Sequence, residues 1–469
     1  MLETYKKAFK AYDIRALYGE EIDERFAYTM GKAIGKYLLE TYGEQANFLL
    51  WCDVRIPNPS LIQHFATGLK KSNFFNISYA TFARDAKYPY GIVSTPALYY
   101  LGQNDFDLSV SITASHNGPE YVGMKFFDRE VALISTEKLW ELFEQAYIEK
   151  EEIVVDMSAD LGLSESLKAK EKDMYAMLQS KWNNLKQTHN FIVDYSNGAG
   201  VSLEKIFLQD YVWKTHKVEV INATPDGTFS AHHSDTQEHK YYQQLIYKVQ
   251  EKKAEFGLMW DGDADRIWIV WPDGQVIGWD IVTAMIAKQI LLEKNSKFED
   301  IVLYETMSTQ TVKEKVEEFG GEARMTRVGR YFINIELKEC NWVFAGESSW
   351  HFLFADIGGY EMPLLALYYF LKELESYASW EALMADYHKY HKSPIISIKV
   401  SDKEEALAKV KEKFAEYEQK TIDGISVYAP DFWFNLRPSN TEDKIKFTVE
   451  SSTEEKMNDV VEELKGILV

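Results

Sequence analysis

DIVLYETMSTQTVKEKVEEFGGEARMTRV, residues 300–328, is the stretch that predicts the fold. An apolar strand, DIVLYE, leads into the helical TQTVKEKVEEFG, and a second strand, EARMTRV, follows. A strand, a helix and a strand of these lengths are typical of a right-handed crossover that joins two parallel strands. The stretch therefore predicts an α/β domain.

Two earlier segments have the same layout. NFLLWC (47–52) precedes a helical stretch at 60–71 and the strand NISYATF (76–82). NFIVDY (190–195) precedes the turn SNGAG, which is more typical of packing than of nucleotide binding, then a helical stretch at 203–209 and HKVEVINA. Repetition of one unit predicts three similar α/β domains rather than a short-period solenoid.

The end of the chain has a different pattern. Strands such as SPIISIKVS and DKIKFTVES alternate with the charged stretch KEEALAKVKEKFAEYEQ (403–419), which predicts a solvated helix. This order predicts an α+β module with a mostly antiparallel sheet. No low-complexity linker separates the parts, so we expect the domains to pack closely around a shared cleft.

Charge and composition exclude several kinds of partner. The formal charge of −21 leaves no basic stripe for nucleic acid. No apolar run approaches the roughly 20 residues that span a bilayer, and the start MLETYKKAFKAYDIR lacks the apolar core of a signal peptide. Cys52 and Cys340 are too few for a disulfide framework. We expect a cytoplasmic chain that binds neither nucleic acid nor membrane. Because the net charge repels anions, we expect any phosphorylated ligand to be held by a few local Arg and Lys groups.

Three carboxylates follow an apolar strand in EFGLMWDGDADRIWIVW (255–271). Asp261, Asp263 and Asp265 alternate, and alternate side chains of an extended backbone point the same way. Their repulsion is costly without a cation, and oxygen ligands suit Mg²⁺. An EF-hand loop needs Gly at its sixth position, where this chain has Arg266. The open alternative is an acidic hairpin loop without an ion.

TASHNGPEYVGMKFF (113–127) places Ser115 and His116 after the predicted strand FDLSVSI, with Lys125 downstream. The Gly-x-Ser-x-Gly elbow of hydrolases is absent. Ser115 is therefore either a helix cap or a serine that carries a phosphate. Lys125 offers a fixed positive charge or an acid/base group.

FWFNLRPSNTEDKIKFTVES (432–451) places Arg437, Ser439, Asn440 and Thr441 in a loop between two strands. A guanidinium, two hydroxyls, an amide and turn N–H groups suit a phosphate, although a plain β-turn has a similar sequence.

WVFAGESSWHFLF (342–354) sets Glu347, Ser349 and His351 at alternate positions, which suits a hydroxyl-rich ligand. A cation site, a serine and a separate phosphate cradle together indicate phosphoryl transfer through a phosphoserine.

These four motifs, in this order, resemble the α-D-phosphohexomutase family of phosphomannomutases, phosphoglucomutases and phosphoglucosamine mutases. FKAYDIR (9–15), STPALYY (94–100) and PDGTFSAHHSDT (225–236) add to the resemblance, which extends over the whole chain. It implies an α/β protein of four domains around a central cleft. Three are related α/β domains with mixed sheets, at 1–158, 159–276 and 277–388, and the fourth is a smaller α+β domain at 389–469.

The resemblance implies interconversion of hexose 6-phosphate and hexose 1-phosphate, with mannose favoured and glucose possible. The reaction would use a phosphoserine, Mg²⁺ and a hexose 1,6-bisphosphate that acts as intermediate and activator. The partner would be a small phosphosugar and the protein a monomer or dimer, with closure of the C-terminal domain to exclude water. A sugar-phosphate phosphatase, a phosphoglucosamine mutase and a non-catalytic phosphosugar-binding protein stay open as alternatives.

The resemblance also implies a role for each matching residue. Ser115 would be the phosphoserine and Lys125 an acid/base group, with His116 and Arg15 also in the catalytic set. Ser115, Asp261, Asp263 and Asp265 would hold Mg²⁺. The substrate would contact Arg266, Arg330, Glu347, Ser349, His351, Arg437, Ser439, Asn440 and Thr441.

Several positions depart from the family pattern. Arg330 stands where relatives often have His, which removes proton exchange there but keeps phosphate contact. Ala264 stands where Gly is common and Cys52 where Arg is frequent. We interpret the neighbouring Asp53 and Arg55 as structural.

Overall fold

The structure is a computed structural model, which describes residues 1–10, 13–79, 91–155, 165–202, 212–234, 238–294, 297–439 and 443–468. The chain divides into two compact units. Unit 1 comprises Met1–Ile277 and Tyr360–Leu365, and unit 2 comprises Gly278–Gly359 and Ala366–Val469. The domain boundaries at 158, 276 and 388 stay predictions.

The first sheet of unit 1 is mixed. Its strands are β1 (Ile14–Leu17), β2 (Phe48–Cys52), β3 (Ile77–Tyr79), β4 (Leu108–Ile112) and β5 (Tyr121–Asp128). β2 is parallel to β3 and β4, and β5 is antiparallel to β4 and β1. The helices of this part are α1 (Leu2–Lys6), α2 (Glu24–Tyr42), α3 (Asn58–Lys71), α4 (Thr95–Gly102) and α5 (Thr136–Ala146). Apolar side chains from α2, α3, α5 and the sheet form one buried core.

The second sheet of unit 1 has four strands. They are β6 (Asn190–Asp194), β7 (Lys217–Ile221), β8 (Phe256–Trp260) and β9 (Ile267–Val270). β6 is parallel to β7 and β8, and β9 is antiparallel to β8. The helices are α6 (Glu165–Trp182), α7 (Trp213–Thr215) and α8 (Gln243–Lys252), with 3₁₀ turns at Ala199–Val201 and His239–Tyr242. The predicted helix at 203–209 and the end of the strand predicted at 76–82 lie outside the described residues.

Residues 278–387 add a third mixed sheet. Its strands include β10 (Ile301–Glu305), β11 (Glu322–Thr326), β12 (Phe344–Gly346) and β13 (Phe352–Phe354), while β14 (Tyr360–Glu361) belongs to unit 1. β10 is parallel to β11 and β12, and β13 is antiparallel to β12. The helices are α9 (Trp279–Glu293), α10 (Gln310–Glu318), α11 (Arg330–Glu339), α12 (Pro363–Leu374) and α13 (Trp380–Tyr387), with a 3₁₀ turn at Ala355–Ile357.

The three mixed sheets repeat one strand pattern. In each, a central strand (β2, β6 or β10) has two parallel neighbours, and the next strand is antiparallel. The prediction of three related α/β domains with mixed sheets is confirmed. The corresponding strands β4, β8 and β12 end immediately before the serine, metal and sugar motifs. One position in the repeat therefore supplies three of the predicted site loops.

The C-terminal part of unit 2 is an antiparallel sheet with two helices. Its strands are β15 (His391–Lys392), β16 (Ile396–Lys399), β17 (Glu418–Lys420), β18 (Ile425–Tyr428), β19 (Phe432–Pro438) and β20 (Lys444–Ser451), and its helices are α14 (Lys403–Lys413) and α15 (Glu454–Leu468). Every pairing in this sheet is antiparallel, so the α+β prediction is confirmed.

The single helix predicted over 403–419 is wrong at its C-terminal end, where β17 pairs with β18. The Gln419 amide donates to the carbonyls of Lys411 and Phe414 and so satisfies the end of α14. Among the described helices, none has the combination of length and apolar character that a membrane-spanning segment needs.

Candidate active site

Ser115 lies in a sharp turn after β4. Its φ of 51° is in the left-handed region, which few non-glycine residues adopt. Its amide donates to Thr113 Oγ1 over 2.9 Å, and its side chain is buried. The Ser115 hydroxyl oxygen is 3.4 Å from Asp261 Oδ2 and 3.4 Å from His116 Nδ1. The fold therefore brings the predicted phosphoserine and the predicted metal loop together.

Arg55 holds the backbone of the serine loop. Its guanidinium donates to the carbonyls of Ser115 (2.8 Å), Asn117 (2.7 Å), Tyr121 (3.0 Å) and Gly118. Its Nε donates to Asp53 Oδ2 over 3.1 Å, and both side chains are fully buried. All five guanidinium N–H groups are thus engaged. These contacts agree with the structural role inferred for Asp53 and Arg55 from the sequence.

A second segment of unit 1 also contacts the serine loop. Ser234 donates to the carbonyls of His116 (2.9 Å) and Asn117 (3.0 Å). The ring centroid of Phe229 lies 5.1 Å from the Arg55 guanidinium carbon. The motif at 225–236, as far as residue 234, therefore packs against the serine loop, a role that the sequence did not indicate.

The three aspartates converge, but not for the predicted reason. Ligand oxygens of Asp261, Asp263 and Asp265 all lie within 4.8 Å of one another, and all three residues are buried. The backbone is a turn rather than an extended strand, because the Ala264 amide donates to the Asp261 carbonyl and Ala264 has a φ of 57°. A Cβ on Gly262 would lie 2.8 Å from the Ser115 carbonyl oxygen, so the turn rests directly on the serine loop.

The two carboxylate oxygens of Asp263 differ in their hydrogen bonding among the described residues. Its Oδ2 accepts from Thr95 Oγ1 (2.7 Å) and from Lys125 Nζ (3.2 Å). In the described part of the chain its Oδ1 is buried and has no hydrogen-bond partner, which is the environment of a metal-ligand oxygen. Lys125 Nζ also lies 3.0 Å from Asp265 Oδ2. Burial lowers the pKa of Lys125, but the charges of Asp263 and Asp265 outweigh burial and raise the pKa overall.

Cations surround the serine and the carboxylates. Arg266 Nε lies 3.6 Å from Asp261 Oδ2 and 3.7 Å from Asp265 Oδ1. Arg15 donates to Asn117 Oδ1 over 2.6 Å and pairs with Asp13. Burial lowers the pKa of His116 well below its usual range, and the charges of Arg266 and Arg15 lower it further. Burial and the neighbouring charges therefore disfavour protonation of the imidazole beside the serine hydroxyl.

The predicted sugar loop forms a hydrogen-bonded cluster in unit 2. Ser349 Oγ donates to Glu347 Oε2 (3.0 Å), and His351 Nδ1 lies 2.7 Å from the same oxygen and 2.8 Å from Ser349 Oγ. Trp350, at a φ of 70°, turns the loop between them. In the described residues, Oε1 of Glu347 is buried and has no hydrogen-bond partner. It can accept from a hydroxyl of a ligand.

Glu305 is a buried site residue that the sequence analysis missed. Its two oxygens accept from the amides of Gly329 (3.0 Å) and Ser348 (2.8 Å), so it links the loop before Arg330 to the sugar loop. Burial raises the pKa of Glu305, and the charge of Glu347 raises it further. The sequence did contain one signal for Glu305, which is its position as a carboxylate at the end of an otherwise apolar strand. Arg330 itself is the first residue of α11.

The structure describes part of the predicted phosphate loop. Arg437 lies near the end of β19, where its Nε is 3.1 Å from Asp423 Oδ2. The Ser439 carbonyl accepts from Lys403 Nζ over 3.2 Å. Asn440 and Thr441 lie outside the described residues.

Known protein families match most of the chain. Models of four phosphoglucomutase/phosphomannomutase domains match the chain in sequence: alpha/beta/alpha domain I at 6–152, domain II at 172–274, domain III at 279–390 and the C-terminal domain at 395–467. The chain belongs to the phosphoglucomutase/phosphomannomutase family. This is the α-D-phosphohexomutase family that the motifs resemble.

Individual members of the family resemble the whole chain. A phosphomannomutase of Methanocaldococcus jannaschii is 38% identical over 98% of this chain and 97% of its own length. A phosphoglucomutase of Neisseria gonorrhoeae is 28% identical over 100% and 98% of the two chains. The crystal structure of a phosphoglucomutase/phosphomannomutase family protein from Burkholderia thailandensis has the same fold, with a TM-score of 0.81, 24% identity and coverage of 99% and 97%.

Membership in the phosphoglucomutase/phosphomannomutase family defines the activity. The chain is a phosphohexomutase, an isomerase that acts on a sugar phosphate. The buried group of Asp261, Asp263 and Asp265 can hold a metal ion.

Proposed function

We propose that this phosphohexomutase interconverts mannose 6-phosphate and mannose 1-phosphate, through phospho-Ser115 and a hexose 1,6-bisphosphate. One observation carries the mechanism: the Ser115 hydroxyl lies 3.4 Å from Asp261 within the carboxylate group. The mannose preference is supported by 38% identity to a phosphomannomutase, against 28% for a phosphoglucomutase.

The proposed metal is Mg²⁺, held by Asp261, Asp263 and Asp265 together with Ser115. Three carboxylates with no sulfur or imidazole ligand favour a hard cation that prefers oxygen. When bound, Mg²⁺ supplies positive charge that stabilises the transferred phosphoryl group. Thr95 and Lys125 engage Oδ2 of Asp263, so its Oδ1 is the oxygen proposed to face the ion.

The chain's own residues act on Ser115 in three ways. Arg55 and Ser234 hold the loop backbone, which keeps the serine oxygen in one position. Lys125, Arg266 and Arg15 are proposed to bring positive charge to the transferred phosphoryl group. His116 Nδ1 lies 3.4 Å from the serine oxygen and is proposed to orient the hydroxyl when Ser115 takes the phosphoryl group back.

Recognition of the rest of the substrate is assigned to unit 2. Glu347 and Ser349 are proposed to bind sugar hydroxyls, with His351 holding Glu347 in place. Arg330, Arg437, Ser439, Asn440 and Thr441 are proposed to bind the phosphate that is not transferred. A cradle that recognises a phosphate rather than a particular carbon accepts the bisphosphate in both orientations.

The test compares mannose 1-phosphate and glucose 1-phosphate in a coupled assay with Mg²⁺ and a trace of hexose 1,6-bisphosphate. We expect at least a roughly tenfold preference for mannose in kcat/KM, a difference of about 1.4 kcal/mol in transition-state binding. Equal rates would contradict the mannose assignment. Steady release of inorganic phosphate without isomerisation would instead identify a phosphatase.

The phosphoserine is tested separately by mass spectrometry and mutation. Purified protein should carry one phosphoryl group on Ser115, and Ser115→Ala should abolish mutase activity. The matched control is Ser111→Ala, because Ser111 is equally buried in β4 and its hydroxyl has no hydrogen-bond partner among the described residues. Full activity of Ser115→Ala would exclude this mechanism.

A further inference from the structure

The turn at Asp423 lies directly on the phosphate-binding strand. Gly424 has a φ of 70°, and a Cβ there would lie 2.0 Å from the Leu436 carbonyl oxygen and 2.7 Å from the Arg437 Cα. The buried Asn435 donates from its side-chain amide to the Asp423 carbonyl over 3.0 Å. Only glycine permits this approach, so the backbone of Asp423 is held beside Arg437.

The Asp423 carboxylate contacts two different parts of unit 2. Its Oδ2 lies 3.1 Å from Arg437 Nε and accepts from the Val328 amide over 3.1 Å. The side chains of Arg437 and Asp423 are only 12% and 13% exposed, so the pair is partly shielded from solvent. The Asp423 carboxylate forms its ion pair at Nε, whereas the outer edge of a guanidinium is formed by the two Nη groups. That edge is the one that binds a phosphate through two parallel hydrogen bonds.

The contact to Val328 continues towards the sugar loop. The next amide, that of Gly329, donates to Glu305, and Glu305 also accepts from the Ser348 amide. Two buried or partly buried carboxylates therefore connect Arg437 to the residues beside Glu347. The connection uses backbone amides, which cannot change rotamer.

We infer that Asp423 is a positioning residue for substrate binding: it orients Arg437 towards the phosphate and fixes Arg437 relative to the loop at 327–330. This inference rests on the proposed function, which assigns the non-transferred phosphate to Arg437. Asp423 acts through Arg437 and does not itself touch the substrate. A carboxylate with a purely structural role would alter folding stability without changing phosphate affinity.

The experiment measures KM and kcat for mannose 1-phosphate and the inhibition constant of inorganic phosphate. The variants are Asp423→Asn, Arg437→Ala and the double variant. Asparagine keeps an oxygen for the Val328 amide and removes only the charge that pairs with Arg437. Because this substitution removes the charge that pairs with Arg437, we expect Asp423→Asn to raise KM and the phosphate inhibition constant by about tenfold, which corresponds to about 1.4 kcal/mol of binding free energy. We expect kcat to change by no more than about threefold.

The double variant distinguishes action through Arg437 from any other route. If Asp423 acts through Arg437, the double variant should have the KM of Arg437→Ala alone. Asp431→Asn is the matched control, because Asp431 is an exposed aspartate of the same domain that pairs with Lys456, and its KM should equal that of the wild type. Thermal unfolding of each variant reports separately on stability.

Two results would overturn the inference. A normal KM and a normal phosphate inhibition constant for Asp423→Asn, with Arg437→Ala impaired, would reject the role of Asp423 and leave the proposed function intact. Fully additive effects of the two substitutions on KM in the double variant would also reject the role of Asp423 and leave the proposed function intact. If Arg437→Ala also bound substrate and phosphate normally, the phosphate-binding assignment in the proposed function would fail as well.

Discussion

Thr95 and Asp263 are joined twice across 168 positions of sequence. The Thr95 hydroxyl donates to Asp263 Oδ2 over 2.7 Å, and the Thr95 amide donates to the Asp263 carbonyl over 2.9 Å. Thr95 is the first residue of α4, so both contacts are made by the N-terminal turn of a helix. The start of one helix in the serine domain thus sets the orientation of a carboxylate in the metal loop.

Thr95→Val should weaken metal binding without unfolding the protein. Valine keeps the shape and the backbone contact but removes the hydroxyl that orients Asp263. Because loss of such an outer contact typically lowers metal affinity by about 10- to 100-fold, the Mg²⁺ concentration for half-maximal activity should rise by that factor. Magnesium titration of the mutase assay measures it. Thr29→Val, at another buried threonine, in α2, is the control and should titrate like the wild type.

Arg55→Met should destabilise unit 1 strongly. The change leaves Asp53 as an uncompensated buried charge and leaves four carbonyls of the serine loop without their donor, at a cost of about 3–5 kcal/mol. Arg55→Lys keeps the charge but not the planar fork, so its melting temperature should fall between those of Arg55→Met and the wild type. Arg129→Lys, at an exposed arginine, should change stability by less than about 0.5 kcal/mol. A wild-type melting temperature for Arg55→Met would contradict the buried pairing.

Glu305→Gln should loosen the sugar loop. Glutamine has one acceptor oxygen where Glu305 uses two, so either the Gly329 or the Ser348 amide loses its partner, at about 1–3 kcal/mol. We expect a lower melting temperature and a higher KM for the hexose phosphate. The control is Glu299→Gln, at an exposed glutamate just before β10, which should change neither the melting temperature nor the KM. Unchanged KM in Glu305→Gln would show that the sugar loop keeps its geometry without this residue.

Lowering the pH should reduce the stability of the domain that carries the metal loop, and His216 is the group responsible. Burial, and to a smaller extent the charge of His189, lower the pKa of His216 to about 4. His216 Nδ1 accepts from the His189 amide over 3.1 Å, and a protonated Nδ1 cannot accept. The unfolded chain therefore binds the proton more readily, and stability falls as pH drops from about 6.5 towards 4, by up to about 1.4 kcal/mol per pH unit.

Thermal unfolding between pH 7 and 4.5 measures this effect. His216→Asn keeps an acceptor near the His189 amide but cannot be protonated, so its melting temperature should fall less steeply with acid than that of the wild type. His239→Gln, at an exposed histidine, should follow the wild-type slope. Equal slopes for all three proteins would exclude His216 as the responsible group.

The elements of the fold were largely predictable because they depend on local periodicity. The apolar runs at 48–52, 190–194 and 301–305 are central strands, and the crossover segments recur in the expected order. The failures have local causes as well. The helix predicted over 403–419 ends at Lys413, where Gln419 donates to the carbonyls of Lys411 and Phe414, a contact that no periodicity reveals.

The candidate site was predictable in its residue types and less so in its geometry. Asp261, Asp263 and Asp265 converge as expected. They do so through a turn in which Ala264 adopts the left-handed conformation, which glycine adopts routinely and alanine rarely does. Glu305 and Asp423 escaped the sequence analysis, because a single carboxylate at the end of a strand or in a turn has no distinctive spacing. Their roles follow from partners such as Gly329, 24 positions from Glu305, and Val328, 95 positions from Asp423.

The sequence by itself determined the repeated α/β architecture, the antiparallel sheet of the last domain and the kinds of side chain at each strand end. It could do so because apolar periodicity and turn composition act over a few neighbouring residues. Only the tertiary structure decided that Ser115 meets Asp261 across 146 positions and that Arg55 reaches the carbonyls of the serine loop. Those contacts depend on how separate sheets and loops of unit 1 pack against one another, and packing between segments far apart in the chain leaves no periodic signal in the sequence.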